Sequence, residues 1–257
     1  MADLHLRRLN MDSSWAWTWA GTRFIVDPWL VGSEVDGFRW LNEQWHTTEP
    51  VDPQSLERPE AYLISQSYND HCHRQTLEAL PEAPLLASGK AARLLRKWFP
   101  GREVVPLPDL LAEGWLDWNG FRLATLHPGR KRDPVYYGLI LARGGAEAIA
   151  YFAHGFSLKP AQLAALQGLR IRLLITTCID FRLPELLGGH VNPGPENAHR
   201  LAEQLRPEYV LNTHDEQKRM KGVVARLARV RYPGAGELRA KLGPAFRTLK
   251  GYEEMVF

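Results

Sequence analysis

The chain has 257 residues, of which 45% are hydrophobic and 24% charged, and its formal net charge is +3. This length and composition predict a soluble globular protein that buries a sizeable core. No stretch reaches the roughly 18 to 20 uncharged apolar residues of a membrane span, and so small a net charge does not call for a nucleic-acid or anionic-membrane partner.

The cysteines and the N-terminus bear on the compartment. Two cysteines, Cys72 and Cys178, are too few for a disulfide framework and favour a reducing compartment. The first residues, MADLHLRRLNMDSS, lack the apolar stretch of a signal peptide. We therefore expect a cytoplasmic protein.

The first third of the chain predicts strands joined by turns. LHLRRL (4–9), SWAWTW (14–19) and TRFIVD (22–27) alternate or are rich in β-forming residues, and Ala20-Gly21 predicts a hairpin turn. This part of the sequence also contains four tryptophans: Trp15, Trp17, Trp19 and Trp29. They either pack in the core or line an apolar substrate pocket, and the sequence leaves both readings open.

The rest of the chain predicts a long loop followed by alternating elements. Residues 31–60 are polar with scattered turn formers, and loops of that length often serve function. From Tyr62 short β-runs alternate with helical segments, and two hairpins are predicted at Asn119-Gly120 and Gly144-Gly145. Alternation then resumes and ends with a basic helix at about 217–230, whose charged face we expect to be solvated.

This order of elements predicts an α/β protein. Two mixed sheets packed face to face and covered by outer helices would satisfy it, which is a four-layer αββα sandwich. Neither repeats nor interdomain linkers interrupt residues 1–257, so we expect a single domain.

Candidate catalytic and metal-binding residues follow the ends of predicted strands, where α/β folds usually place their sites. They are Asp27 after FIV, Asp70, His71, Cys72 and His73 after YLIS, and the histidines His127, His154 and His214 after three later strands. Zinc and similar ions bind three or four N, O or S ligands, so these residues predict a metal site. Cys72 beside a histidine is an alternative nucleophile, although an inert buried cysteine explains it as well.

In the order of these parts the chain resembles the metallo-β-lactamase-fold superfamily, and within it the metal-dependent hydrolases similar to L-ascorbate-6-phosphate lactonase. The resemblance spans most of the chain. Its most specific marks are TRFIVDPWL, LISQSYNDHCH and the late strand that ends in His214.

The family signature H-x-H-x-D-H is only partly present. Its Asp-His pair matches Asp70 and His71, whereas its two earlier histidines fall on Gln66 and Tyr68. The family's metal-bridging aspartate falls on Gly155.

The resemblance also assigns residues outside the signature. The next histidine that holds the first metal matches His127, and the final histidine that holds the second metal matches His214. Asp27 matches a buried aspartate that organises the site.

The resemblance therefore implies a reduced metal site. One metal position keeps only His127, whereas the other keeps Asp70, His71 and His214. His73, His127 or His154 would supply a replacement ligand. We expect one divalent metal, zinc with manganese or iron as alternatives, and loss of the metal is the competing expectation.

Three functions remain open, each with a small molecule as partner and none with a predicted oligomeric state. The first is hydrolysis of an ester, lactone or phosphoester, with Asp70 as proton acceptor and His127 or His154 on the substrate or developing oxyanion. The second is a non-catalytic ligand-binding protein on the same fold, in which Gln66 and Tyr68 recognise the ligand by hydrogen bonds. The third is metal-free catalysis through Cys72.

Overall fold

The computed structural model describes residues 3–128 and 137–257. The strands of this part are β1 Leu4–Arg8, β2 Trp15–Trp19, β3 Thr22–Val26, β4 Glu34–Val35, β5 Glu43–Trp45, β6 Ala61–Ile64, β7 Leu85–Ala87, β8 Val104–Pro106, β9 Leu116–Trp118, β10 Phe121–Leu126, β11 Gly138–Arg143, β12 Glu147–Phe152, β13 Arg170–Thr177, β14 Asp180–Arg182, β15 His190–Pro193, β16 Tyr209–Thr213, β17 Arg219–Lys221, β18 Arg229–Arg231, β19 Phe246–Arg247 and β20 Glu254–Val256. The α-helices are α1 Arg74–Ala79, α2 Gly89–Trp98, α3 Pro160–Ala165, α4 Gly194–Leu205, α5 Val223–Leu227 and α6 Ala235–Leu242. Short 3-10 helices lie at Pro53–Ser55, Glu185–Leu187 and Gly243–Ala245.

The chain forms two compact units. The first comprises Met1–Pro106, Glu216–Arg226 and Leu249–Phe257, and the second comprises Leu107–Asp215 and Leu227–Thr248. That the whole chain acts as one domain stays a prediction.

The first unit is built on a seven-stranded mixed sheet with the order β20-β1-β2-β3-β6-β7-β8. The strands β1, β2 and β3 are antiparallel, whereas β3, β6, β7 and β8 run parallel. The four N-terminal tryptophans are fully buried, which favours core packing over the wall of an open pocket: Trp15, Trp17, Trp19 and Trp29. Because β3 and β6 are parallel neighbours, their carboxyl ends lie at the same edge of the sheet.

Apolar side chains of this sheet and of its two helices form a core cluster. Tyr62 and Ile64 of β6 share it with Leu77 of α1 and Leu95 of α2. Fully burying a side chain such as Leu77 contributes about 1.5 to 3 kcal/mol. This packing fixes both helices on the sheet, and α1 directly follows the segment that comes after β6.

The loop expected at 31–60 contains two short strands. β4 and β5 join β17 in a three-stranded sheet of the first unit. The helix expected at 217–230 is wrong, because β17, α5 and β18 occupy that segment. The segment is interrupted at Gly222, whose φ is +102° and where a Cβ would lie 2.6 Å from the carbonyl oxygen of Leu41. Val224 N–H also donates to that carbonyl, so pairing with the 31–60 segment overrides local helix propensity.

The second unit has a seven-stranded mixed sheet with the order β19-β16-β13-β12-β11-β10-β9. The hairpins β9–β10 and β11–β12 turn at Asn119-Gly120 and Gly144-Gly145, where all four residues have positive φ. The strands β12, β13, β16 and β19 run parallel. A smaller sheet, β15-β14-β18, belongs to the same unit.

Two large mixed sheets with helices confirm the predicted α/β class. Among the described helices none combines the length and apolar character that crossing a membrane requires.

Candidate metal centre

Asp27 orients His71. The Asp27 carboxylate is fully buried and accepts hydrogen bonds from the backbone N–H of Ser65 and from Nδ1 of His71, both at 2.7 Å, and from the Ser65 hydroxyl. Because a carboxylate only accepts, Nδ1 of His71 holds the proton. Nε2 of His71, which is 3.5 Å from Oδ2 of Asp70, is then the ring nitrogen that would bind a metal.

The surroundings of His71 favour positive charge. Burial alone lowers the pKa of His71, but the carboxylates of Asp70 and Asp27 outweigh burial and raise that pKa to about 9. A divalent metal would supply positive charge at the same point.

An acidic cluster, formed by Asp12, Glu34 and Asp36, adds to this field. Nζ of Lys218 lies 3.1 Å from Oδ2 of Asp12 and 3.4 Å from Oε1 of Glu34. Burial raises the pKa of Glu34 well above its usual value and that of Asp36 to about 6, and the charge of Asp70 raises both further. One lysine therefore faces three clustered carboxyls and Asp70.

Two histidines follow parallel strands of the second unit. His154, after β12, has Nδ1 2.7 Å from Oδ1 of Asn192, so Nδ1 donates and Nε2 has the lone pair. His214, after β16, is 3% exposed and has a left-handed backbone with φ +56°. The two rings stack with their centroids 4.4 Å apart.

Four side chains form one candidate metal-binding group. Asp70, His71, His154 and His214 each offer one ligand atom, and these atoms lie within 4.8 Å of one another. One carboxylate and three imidazoles suit zinc, and also manganese or iron. The residues present therefore fit a divalent metal.

His73 and His127 lie outside this group. His73 is the N-cap of α1: its Nδ1 accepts from the backbone N–H and the hydroxyl of Thr76, and burial lowers its pKa to about 4. His127 is exposed, its backbone N–H donates to Asp109, and its ring meets the ring of Tyr137 edge-on at 5.2 Å. Ligand or catalytic roles for both histidines stay predictions.

The resemblance places three further metal ligands of the family at Gln66, Tyr68 and Gly155. At Gly155 φ is +77°, and a Cβ would lie 2.6 Å from Oδ1 of Asn197 and 2.7 Å from Cγ of Pro193. Gln66 is buried and Tyr68 is partly buried. Cys72 is fully buried, and burial raises the pKa of its thiol, which disfavours a thiolate nucleophile.

Fold and site together define a metallo-β-lactamase-type protein with a candidate His/Asp metal-binding group. The chain matches the sequence profile of the beta-lactamase superfamily domain over residues 10–214, and it belongs to that superfamily. No curated protein sequence matches the chain.

Solved structures confirm the predicted αββα sandwich fold at low sequence identity. An isothiocyanate hydrolase from Delia radicum gut bacteria has 17% identity and a TM-score of 0.69, with 100% of this chain and 99% of that chain covered. The metallo hydrolase Igni18 from Ignicoccus hospitalis has 15% identity and a TM-score of 0.67, covering 99% and 98%. The diiron β-hydroxylase CmlA from Streptomyces venezuelae has 17% identity and a TM-score of 0.65, covering 99% and 54%.

Family membership and the His/Asp group together support a metal-dependent hydrolase that uses a divalent metal. Asn192 and Lys218, which support the group, were missed from the sequence. Asn192 is 38 residues from His154, and Lys218 is more than 180 residues from Glu34, so no local pattern could pair them.

Proposed function

We propose that this protein is a hydrolase with one divalent metal, held by Asp70, His71 and His214 with His154 as the fourth ligand, and that it cleaves a small-molecule ester, lactone or phosphoester. The observation that carries the proposal is the convergence of those four side chains. Hydrolases among the proteins of similar fold support it.

The residues of the chain have distinct tasks in such a reaction. When bound, the metal would lower the pKa of a water molecule and polarise the bond to be cleaved. Asp27 holds His71 in the tautomer that presents Nε2. Asp70 has two carboxylate oxygens, so one would face the metal while the other accepts a proton. Asn192 holds His154 in the tautomer whose Nε2 carries the lone pair, and contacts of His154 or His127 with the substrate remain part of the proposal.

We expect a single metal because of the residues that occupy the family's other metal-ligand positions. Gln66 and Tyr68 replace two imidazoles, and neither an amide nor a neutral phenol is a preferred ligand of zinc. Gly155 offers no carboxylate, and its surroundings leave no room for one.

Metal content tests this proposal. We would measure it by mass spectrometry on the untagged protein and on His71→Ala, His214→Ala and His127→Ala. About one equivalent of one metal is expected in the wild type, as three or four ligands hold one ion. It should be lost in the first two variants and kept in His127→Ala, the control. Two equivalents would contradict the single-metal site, and none after reconstitution would favour the ligand-binding alternative.

Hydrolysis is tested separately. We would offer p-nitrophenyl acetate, δ-valerolactone, p-nitrophenyl phosphate and benzyl isothiocyanate to the metal-loaded protein and to Asp70→Asn. Turnover of one class that a chelator and Asp70→Asn both abolish is expected. Turnover that survives chelation would contradict a metal-dependent reaction.

A further inference from the structure

The amide of Gln66 is a buried polar group whose hydrogen-bonding capacity is unused. The side chain is 1% exposed, and within the part of the chain that the structure describes neither Nε2 nor Oε1 has a hydrogen-bond partner. A primary amide offers two N–H donors and an accepting oxygen, and burying it without partners is costly. Such a group calls for an explanation, and a bound molecule is one.

Gln66 lies next to the residues that organise the metal centre. It directly follows Ser65, whose N–H and hydroxyl both bind the Asp27 carboxylate, and Asp27 holds His71. The chain then turns tightly, because the carbonyl oxygen of Tyr68 accepts from the N–H groups of His71 and Cys72 at 3.0 and 2.7 Å. Gln66 therefore begins the short segment that ends in two metal-binding residues.

The charges in this region indicate what kind of molecule fits. Asp12 and Glu34 are each 1% exposed, and Lys218 is their shared cation. Asp36, whose carboxylate accepts from Asn42, adds a further acid, and Asp70 another. Even with Glu34 protonated and a divalent metal bound, the carboxylates of Asp12, Asp27, Asp36 and Asp70 outnumber the three positive charges of Lys218 and the metal. An anionic substrate would therefore meet no net positive charge in a site of low dielectric constant, whereas an uncharged substrate needs none.

We propose that Gln66 is a substrate-binding residue of the metal centre, and that the substrate is an uncharged ester or lactone whose carbonyl oxygen accepts a hydrogen bond from Nε2. This inference rests on the proposed function and narrows it, because it excludes phosphoesters. The amide would bind the substrate where the family signature has a metal-binding histidine.

In ester cleavage, this hydrogen bond from Gln66 would stabilise the transition state. Water adds to the carbonyl carbon, the bond from that carbon to the alcohol oxygen breaks, and the proton released by the water passes through Asp70 to the departing alkoxide. Ester and water thus become acid and alcohol. Negative charge gathers on the carbonyl oxygen in the transition state, so a positioned N–H donor binds the transition state more strongly than the substrate.

Replacing the Gln66 amide by an apolar side chain should change stability and activity in opposite directions. Gln66→Met replaces the amide by an apolar side chain of similar shape, so the melting temperature should rise while ester hydrolysis falls. Gln162→Met is the matched control for stability. Gln162 is 2% exposed, but its Nε2 donates to the carbonyl oxygen of His127 and its Oε1 accepts from the N–H of Lys159. Removing that satisfied amide should lower the melting temperature.

The experiment measures three quantities on wild type, Gln66→Met and Gln162→Met, with Gln66→Leu as a second apolar variant. They are the melting temperature of the metal-free protein, the metal content, and kcat/KM for p-nitrophenyl acetate, δ-valerolactone and p-nitrophenyl phosphate. For Gln66→Met we expect a higher melting temperature, unchanged metal content, and a fall in kcat/KM for the ester and lactone of roughly 100-fold. The wild type should not hydrolyse the phosphate.

Failure of the inference is distinguishable from failure of the proposed function. A melting temperature that falls in Gln66→Met as in Gln162→Met would show a structural amide and overturn the inference. Unchanged ester hydrolysis in metal-loaded Gln66→Met, or a wild type that prefers the phosphate, would overturn it while leaving the hydrolase intact. A wild type that binds no metal would overturn the proposed function itself.

Discussion

The fully buried carboxylate of Asp27 accepts a hydrogen bond from Nδ1 of His71 at 2.7 Å. This hydrogen bond fixes the orientation of the His71 ring and makes its Nε2 more basic, as carboxylates commonly do for metal-binding histidines. Asp27 is itself held by Ser65 and by its position at the end of β3. The geometry of the candidate site is thus set by residues that would not touch the metal.

Asp27→Asn should weaken metal binding without removing a ligand. An amide is a poorer acceptor for Nδ1–H and allows the ring to reorient, so we expect the dissociation constant for zinc to rise about 10- to 100-fold. Competition with a chromogenic chelator measures it. Asp52→Asn, at an exposed cap of a 3-10 helix, is the control and should leave zinc affinity unchanged. Equal affinity in both variants would contradict a role for Asp27.

Gly155→Asp should not restore a second metal. The substitution forces a side chain into a left-handed backbone and against Asn197 and Pro193. We expect a loss of about 2 to 5 kcal/mol in the free energy of unfolding, from backbone strain and overpacking together. Urea unfolding measures it, and Gly101→Ala, at a position with open space, is the control. A stable Gly155→Asp protein with two metal equivalents would contradict this account.

Lys218→Met should destabilise the metal-free protein. The substitution removes the cation that pairs with the buried carboxylate of Asp12, and breaking such a buried pair typically costs about 3 to 5 kcal/mol. Lys221→Met, which replaces an exposed lysine of β17, should change stability little. Chemical unfolding of both variants checks the comparison.

The same substitution should strengthen metal binding. Removing one positive charge near Asp70 makes the region more negative, so zinc affinity should rise in Lys218→Met and not in Lys221→Met. Weaker zinc binding in Lys218→Met would show that the lysine instead positions a ligand.

Much of the fold was predictable because its signals are local. The strands β1 to β3 follow the alternation of their sequence, and the Asn119-Gly120 hairpin follows turn chemistry. The helix predicted at 217–230 was wrong, because Gly222 and strand pairing with the 31–60 segment, which is distant in sequence, decide the structure of these residues.

The residues of the candidate site were likewise predictable only where a local sequence signal marks them. The positions after predicted strands indicated Asp70, His71 and His214 as metal ligands and His154 as a possible addition, and these four residues form the candidate group. His73 was expected, like His154, as a possible additional ligand, yet it caps α1, because capping depends on the backbone of Thr76. The unpartnered amide of Gln66 depends on side-chain packing, so no sequence pattern could show it.

Stability should also depend on pH through Asp36. Burial, and next the charge of Asp70, raises its pKa from 3.8 to about 6. The Asp36 carboxyl thus binds its proton more tightly in the folded protein than in the unfolded chain. The stability that the protonated Asp36 carboxyl contributes is complete below pH 3.8 and is lost as the pH rises to about 6. Asp36→Asn keeps an oxygen that accepts from Asn42 and removes the titration.

We expect the free energy of unfolding of Asp36→Asn minus that of the wild type to increase by about 1 to 3 kcal/mol between pH 4 and pH 7. His73 acts in the opposite direction, because its pKa is lowered to about 4 and its contribution is lost as the pH falls. The His73 contribution is present in both proteins and cancels in the difference. Urea unfolding of metal-free wild type and Asp36→Asn at several pH values measures this difference in the free energy of unfolding. A difference that stays constant across this range would show that the Asp36 carboxyl titrates alike in the folded and unfolded states.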